Sequence, residues 1–361
     1  MVVDGSENYT AKARYAETIA LYNGGSYNLT KYLSSLQYTD NACDTLDSIS
    51  LELDLNAMNA AGGFNPQKGE DLDIYIIMRN WYVNGKHEEY HCGNFVIDEI
   101  SITGAPRVMT VKGVSQPADS ELKDRQRSKA WTNVTLRQLV EEIQGKYNMP
   151  NLFFNCQDVT IDKIEQTNET DLQFLQNVCK KYGVCMKCYK TGFVLYDETA
   201  YEARGIYNFY GEYPSSATSG SNEGYTDWTT HEIQPDYNWT TSLQGFYTGA
   251  ELRYKNPQKK QETITVKVGT EEKVLYLNEQ VQDQSEAERV AKARLNEQNK
   301  NTTTITFKPT VFDYGLFSTY NIEIKNCGMC DGKYFVDRVD VTLDSGGLTQ
   351  SVTARKIIQR V

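Results

Sequence analysis

Polar and apolar residues alternate with period two over much of the N-terminal third. Ser48-Ile-Ser-Leu-Glu-Leu-Asp-Leu55 turns every second side chain to one face, the signature of a half-buried strand. Residues 73–82 repeat the pattern and run into Asn84-Gly85, a hairpin pair. Residues 95–103 and 107–114 continue it across Gly104-Ala105-Pro106. A leading strand is expected to end at the Gly24-Gly25 turn. Short strands at this spacing predict a barrel or a sandwich.

The pattern changes after residue 118. Residues 123–129 read as a charged connector. Thr135-Leu-Arg-Gln138 and Thr170-Asp-Leu-Gln173 each have the form of a capping box, followed by apolar residues at helical spacing. Gly183 suits the stop of the second helix. Residues 184–189, a Lys-Thr-Gly turn and residues 193–196 predict a hairpin. Strand periodicity resumes at 250–254, 263–268, 274–277, 303–307, 320–324 and 350–356, with one helix expected from a capping box Ser285-Glu-Ala-Glu288 to about Asn299.

One strand pattern occurs twice. Gly93-Asn-Phe-Val-Ile-Asp-Glu-Ile-Ser-Ile-Thr103 aligns without a gap on Gly332-Lys-Tyr-Phe-Val-Asp-Arg-Val-Asp-Val-Thr342. Gly93/Gly332, Asp98/Asp337 and Thr103/Thr342 are identical, and Phe95 matches Tyr334. The expected organisation is mainly β with an α+β insert: two related β-barrel domains flanking a small α+β domain. The predicted division is 1–118 (first β-barrel), 119–202 (α+β insert), 203–233 (a Ser/Gly-rich linker or long loop) and 234–361 (second β-barrel with one helix).

Composition refines this picture. The 361 residues include 25 Tyr, which favours pleated sheets and protein contact surfaces. The net charge of −11 argues against a protein that binds nucleic acid by neutralising phosphates; it suits a surface along which nucleic acid passes without sticking. No apolar run reaches the roughly 20 residues of a membrane helix. The N-terminus lacks the pattern of a signal peptide, so folding in the cytoplasm is expected, with the eight Cys as free thiols.

Three constellations look like chemistry. His87-Glu-Glu-Tyr-His91 has the H-E-x-x-H form of a zinc hydrolase, which would use His87, Glu88 and His91. That chemistry requires a helix, and the context here is extended. Cys185-Met-Lys-Cys188 and Cys327-Gly-Met-Cys330 are CxxC pairs, separated by far more than the roughly 15–20 residues of a zinc ribbon. They are read as unpaired thiols, with a shared metal site as the alternative. Asp98 and Asp337 each lie on a mostly apolar strand face with Val96, Ile100 and Ile102 or with Phe335, Val339 and Val341. The same Asp in two remote places favours a structural role, at a turn or bulge, over a catalytic acid. A carbohydrate-binding module is a further alternative, resting on the scattered Trp residues.

The chain resembles the baseplate hub proteins of contractile phage tails and phage-like particles, the late control gene D family. The residues that carry the resemblance are Gln166…Thr170-Asp171…Phe174-Leu175 followed by Tyr182-Gly183, with Lys129-Ala-Trp-Thr-Asn-Val-Thr-Leu136, Cys92–Glu99 and Asp331–Asp337. The resemblance implies a homotrimer whose paired β-barrels build a pseudo-sixfold ring between a hexameric tail tube and a trimeric central spike. It implies as partners the tail tube or tube-initiator protein, the central spike, and baseplate wedge and tape-measure proteins. It implies no catalytic residue, cofactor, membrane or sequence-specific nucleic acid. The place it implies is the tail baseplate of a virion or phage-like particle assembled in the host cytoplasm. The two CxxC pairs and the 203–233 stretch depart from the family pattern.

Overall fold

The computed structural model describes residues 13–60, 65–81, 84–115, 121–211, 230–255, 262–358 and 360. The fold is mainly β with few helices. The chain forms two compact units, one of residues 1–38, 48–114 and 341–349, the other of residues 39–47, 115–340 and 350–361.

In the first unit, antiparallel strands lie in the order Tyr27–Asn28, Tyr15–Tyr22, Asp71–Arg79, His87–Thr103, Val108–Val114, Ser48–Asp54. The alternation read from residues 48–54 is realised: Ile49, Leu51 and Leu53 are buried, while Glu52 and Asp54 are exposed. The Asn84-Gly85 pair lies at the turn between the strands Asp71–Arg79 and His87–Thr103, with Gly85 at φ +83°. The strand expected to start at residue 95 is longer and begins at His87.

The second unit contains the α+β elements. Both capping boxes are present: Thr135 accepts from Gln138 N and Thr170 from Gln173 N, each with the reciprocal glutamine bond. Residues 123–129 are not a connector. A short helix, Glu121–Asp124, leads into the strand Gln126–Thr135, which pairs with Thr160–Thr170. Trp131, two residues beyond the charged run, provides the buried anchor that holds the strand down. The hairpin Cys185–Tyr189/Gly192–Tyr196 is present, and Asn151–Asn155 joins it in parallel. The late helix spans Gln284–Asn299 and is capped by Asp283, which accepts from Glu286 N, not by Ser285. Asp at an N-cap satisfies the same orphan N–H and adds a charge favourable to the helix dipole.

One apolar core runs through residues 122–195 and 250–295 of this unit, from Leu139, Leu175 and Leu195 to Leu252, Val290 and Leu295. The helices Asp171–Lys181 and Gln284–Asn299 are tied by Lys181 and Tyr182, both bonded to Glu286 Oε1 at 3.0 and 2.7 Å. Gly183, at φ +71°, lets the chain turn against Ala293, whose Cβ would lie 3.1 Å from any side chain placed there. Of the expected 203–233 linker, residues 212–229 lie outside the described residues.

Candidate functional site: the repeated strand pattern

The two copies of the pattern share a backbone design that extends beyond the residues aligned in sequence. Gly93 lies opposite Ile74, Phe95 opposite Leu72 and Val96 opposite Asp71. Gly332 lies opposite Ile324, Tyr334 opposite Ile322 and Phe335 opposite Asn321. The register is the same, so the strand before each copy is also repeated: Asp71-Leu-Asp-Ile74 corresponds to Asn321-Ile-Glu-Ile324. Each copy is the middle strand of a three-strand meander, between Asp71–Arg79 and Val108–Val114 in one case and Asn321–Lys325 and Gly347–Lys356 in the other.

The match includes the bonds that start the pairing. Ile97 N donates to Glu70 O at 2.9 Å and Val336 N to Tyr320 O at 2.8 Å. Gly69 N donates to Ile97 O and Thr319 N to Val336 O, both at 2.8 Å. Gly69 and Thr319 are both left-handed, at φ +88° and +73°. Gly93 and Gly332 share positive φ, +123° and +138°. A side chain is disfavoured at both positions, which explains the identical glycines. Phe95, Val96 and Ile97, like Tyr334, Phe335 and Val336, are consecutive buried residues, so both faces of each strand are covered there.

Beyond these residues the copies diverge. Asp98 is the extra residue of a β-bulge, between Ile97 opposite Gly113 and Glu99 opposite Lys112, and is exposed. The bulge shifts the face that follows, and Ile102 is 58% exposed, so the apolar face expected from Val96 to Ile102 ends early. The second copy keeps its apolar face, with Phe335, Val339 and Val341 buried. Its Asp337 meets Arg355 Nε at 3.2 Å. Tyr334 carries a hydroxyl that Phe95 lacks: it donates to Cys330 O at 2.6 Å and accepts from Trp239 Nε1 at 3.0 Å.

Arg355 had no signal in the sequence. It is wholly buried and contacts Glu202 at 2.7 Å and Glu198 at 3.0 Å, with its guanidinium 4.6 Å from the Phe335 ring. Arg360 and Lys300 reach Glu198 at 2.7 and 3.8 Å, so three cations balance Glu198, Glu202 and Asp337. Burial pushes Asp337 up to about 6. Burial also acts to raise Glu198, but Arg355, Lys300 and Arg360 outweigh it and hold the carboxyl down at about 2. A second buried set joins Lys187 to Asp40 at 2.8 Å and Asp47 at 3.4 Å, and Asp40 also accepts from Ser318 N and Oγ at 2.8 Å. Burial lifts Asp47 to about 6.

The residues that carry the central resemblance meet around Asp171. Gln166 Nε2 donates to Asp171 Oδ1 at 2.9 Å, and Tyr147 Oη donates to Oδ2 at 2.6 Å. Lys146 Nζ lies 2.5 Å from the same oxygen and Arg127 Nε 3.4 Å. Burial works against the charge, but Lys146, Tyr147 and Gln166 keep Asp171 below the usual carboxylate range. Thr170 caps the helix, Phe174 stacks on Trp131 at 4.9 Å and Leu175 is fully buried. The motif is therefore a packing and capping unit.

His87, Glu88 and His91 lie in the strand His87–Thr103. Residues four apart on a strand are about 13 Å apart, and Glu88 points to the face opposite both histidines. His91 stacks on Tyr75 at 4.4 Å and meets Asp73 at 2.7 Å. This geometry does not assemble a zinc hydrolase site. Cys185 and Cys188 are buried in a strand; Cys327 precedes and Cys330 ends a short turn, Gly328–Cys330; all are free thiols. Burial pushes Cys188 up to about 12.

Comparison with known proteins agrees with this architecture. The baseplate hub protein of Escherichia phage 186, described as probable, is 24% identical over 254 residues, covering 69% of this chain. That stretch spans only 58% of the relative's own length. The prophage MuSo2 43 kDa tail protein from Shewanella oneidensis superposes with a TM-score of 0.67 at 11% identity, over 94% of this chain and 98% of the other. An E. coli component of the type VI secretion system, described as structurally similar to bacteriophage T4 tail proteins, gives 0.57 at 12% identity over 94% and 77%. The phage tail baseplate hub (GPD) family matches residues 84–347, well over half of the chain, and the protein belongs to that family.

Proposed function

We propose that this hub protein acts as a trimeric adaptor, joining a hexameric tail tube to a trimeric central spike. The observation that carries the reading is the shared register of Gly93 against Ile74 and Gly332 against Ile324. Two like β-barrels per chain, the 1–118 and 234–361 regions of our division, give three subunits six similar faces. A closed ring then satisfies the sixfold tube on one side and the threefold spike on the other. Wedge and tape-measure proteins are further partners in this reading, and the assembly forms in the host cytoplasm. The role is mechanical, and affinity comes from buried interface area with aromatic anchors.

Mass measurement of the full chain, alone and with co-expressed tube and spike proteins, tests this. The expected species is a trimer that retains both partners through gel filtration. A chain that stays monomeric at high concentration with both partners present would overturn the proposal.

A further inference from the structure

We propose that the strand Gln126–Thr135 is a docking edge for an extended acidic segment of a partner protein, which adds alongside it as a third strand. This is independent of the ring described above. Three observations converge. First, Gln126–Thr135 pairs with Thr160–Thr170 in a two-stranded ribbon, and among the described residues its other edge has no strand partner. An extended edge strand turns alternate N–H and C=O groups outward, the arrangement that strand addition uses, and residues 126–132 offer such a stretch before Asn133 turns left-handed at φ +51°. Second, a groove of about 630 Å³ lies beside it, lined by Arg125, Arg127, Lys129, Trp131, Glu142 and Lys146 among others. Arg127, Lys129 and Trp131 alternate along the strand and so share one face.

Third, the charge is distinctive for this chain. Four cations line the groove, and the three carboxylates that pair with them, Glu121, Glu142 and Asp171, leave one positive charge in excess, on a protein of net charge −11. Arg125 and Arg127 pair with Glu121, Lys129 with Glu142, and Lys146 with the buried Asp171. The Lys129, Glu121 and Glu142 side chains are about half exposed, at 51%, 47% and 50%. Such surface pairs are worth little and open readily to a competing carboxylate. Cations on an open edge repel a second copy of the same strand and admit one of opposite charge, so the edge is selective as well as open.

The test uses the full chain and a blocked ten-residue peptide of alternating Glu and Val, labelled for fluorescence anisotropy. The expected result is saturable binding that weakens with salt, about tenfold weaker for Lys129→Glu, with a Lys/Val peptide not binding. Two further peptides carry N-methyl groups, one at the Glu positions and one at the Val positions. Strand addition requires that one of them lose binding and the other retain it. Equal binding of both would reduce the contact to charge attraction and overturn the proposal, as would no binding at all. Displacement of the peptide by oligothymidylate at equal concentration would point to a nucleic-acid surface and also overturn it.

Discussion

Thr319 adopts the left-handed backbone that Gly69 adopts at the equivalent place, and both donate an N–H to the opposing strand at 2.8 Å. Gly69 does this without penalty, whereas a β-branched residue at φ +73° is strained. Thr319→Gly should therefore stabilise the protein, by about 1 kcal/mol after the extra chain entropy of glycine is subtracted. Urea unfolding of the variant checks this. A loss of stability would mean that the Thr319 side chain makes contacts that outweigh its strain.

Arg355→Met removes the central cation from a buried set that is neutral as it stands. Glu198 and Glu202 are left with Arg360 and Lys300 alone. The expected loss is about 3–5 kcal/mol, because an uncompensated charge stays buried. Adding Glu202→Gln to the same chain should recover most of it. The comparison of the two unfolding midpoints is the measurement, and equal midpoints would contradict the charge-balance account.

Asp171→Ala removes the acceptor shared by Gln166, Tyr147, Lys146 and Arg127. A loss of about 2–3 kcal/mol is expected, from buried donors left without partners. Hydrogen exchange should accelerate first in the helix Asp171–Lys181. Trp131 fluorescence should change as the Phe174 stack loosens. Acceleration spread evenly over the chain would argue against a local role.

Stability should respond to pH in two opposing windows. Asp47 and Asp337 titrate at about 6 when folded, above the ordinary 3.8, so between these values the native state holds protons that the unfolded chain has lost. Their contribution falls as pH rises from about 4 to about 6. Glu198, held at about 2 against an ordinary 4.5, contributes fully above that ordinary value and is lost as pH falls toward 2. Thermal melts of Asp337→Asn should show a shallower decline between pH 4 and 6 than the parent. An unchanged slope would remove Asp337 from this account.

Local chemistry was legible in the sequence where neighbouring residues dictate it. Thr135/Gln138 and Thr170/Gln173 announce two helix starts through spacing alone, and the Gly93/Gly332 repeat is visible in the alignment. The cap at Asp283 was displaced by two residues because Ser285-Glu-Ala-Glu288 has an equally good local form. Only the path of the chain into the helix decides between them. The strand hidden in residues 126–129 was obscured by its charge, which the open ribbon tolerates. Arg355 and Lys187 lay beyond reach, since each finds its carboxylates in segments remote in sequence. The register identity of 71–74 with 321–324 is hidden in the sequence because only Ile74/Ile324 is identical and the other three pairs are merely similar.

The continuous apolar interior of the second unit limits how this protein can be reshaped. Leu139 and Leu175 share that interior with Val290 and Leu295. A designer who excised residues 119–202 to shorten the chain, or grafted them elsewhere as a module, would open a wet seam along both pieces. Cargo fusions belong instead on polar tips such as the turn at Gly346-Gly347, where the backbone bends without contributing a side chain to that interior.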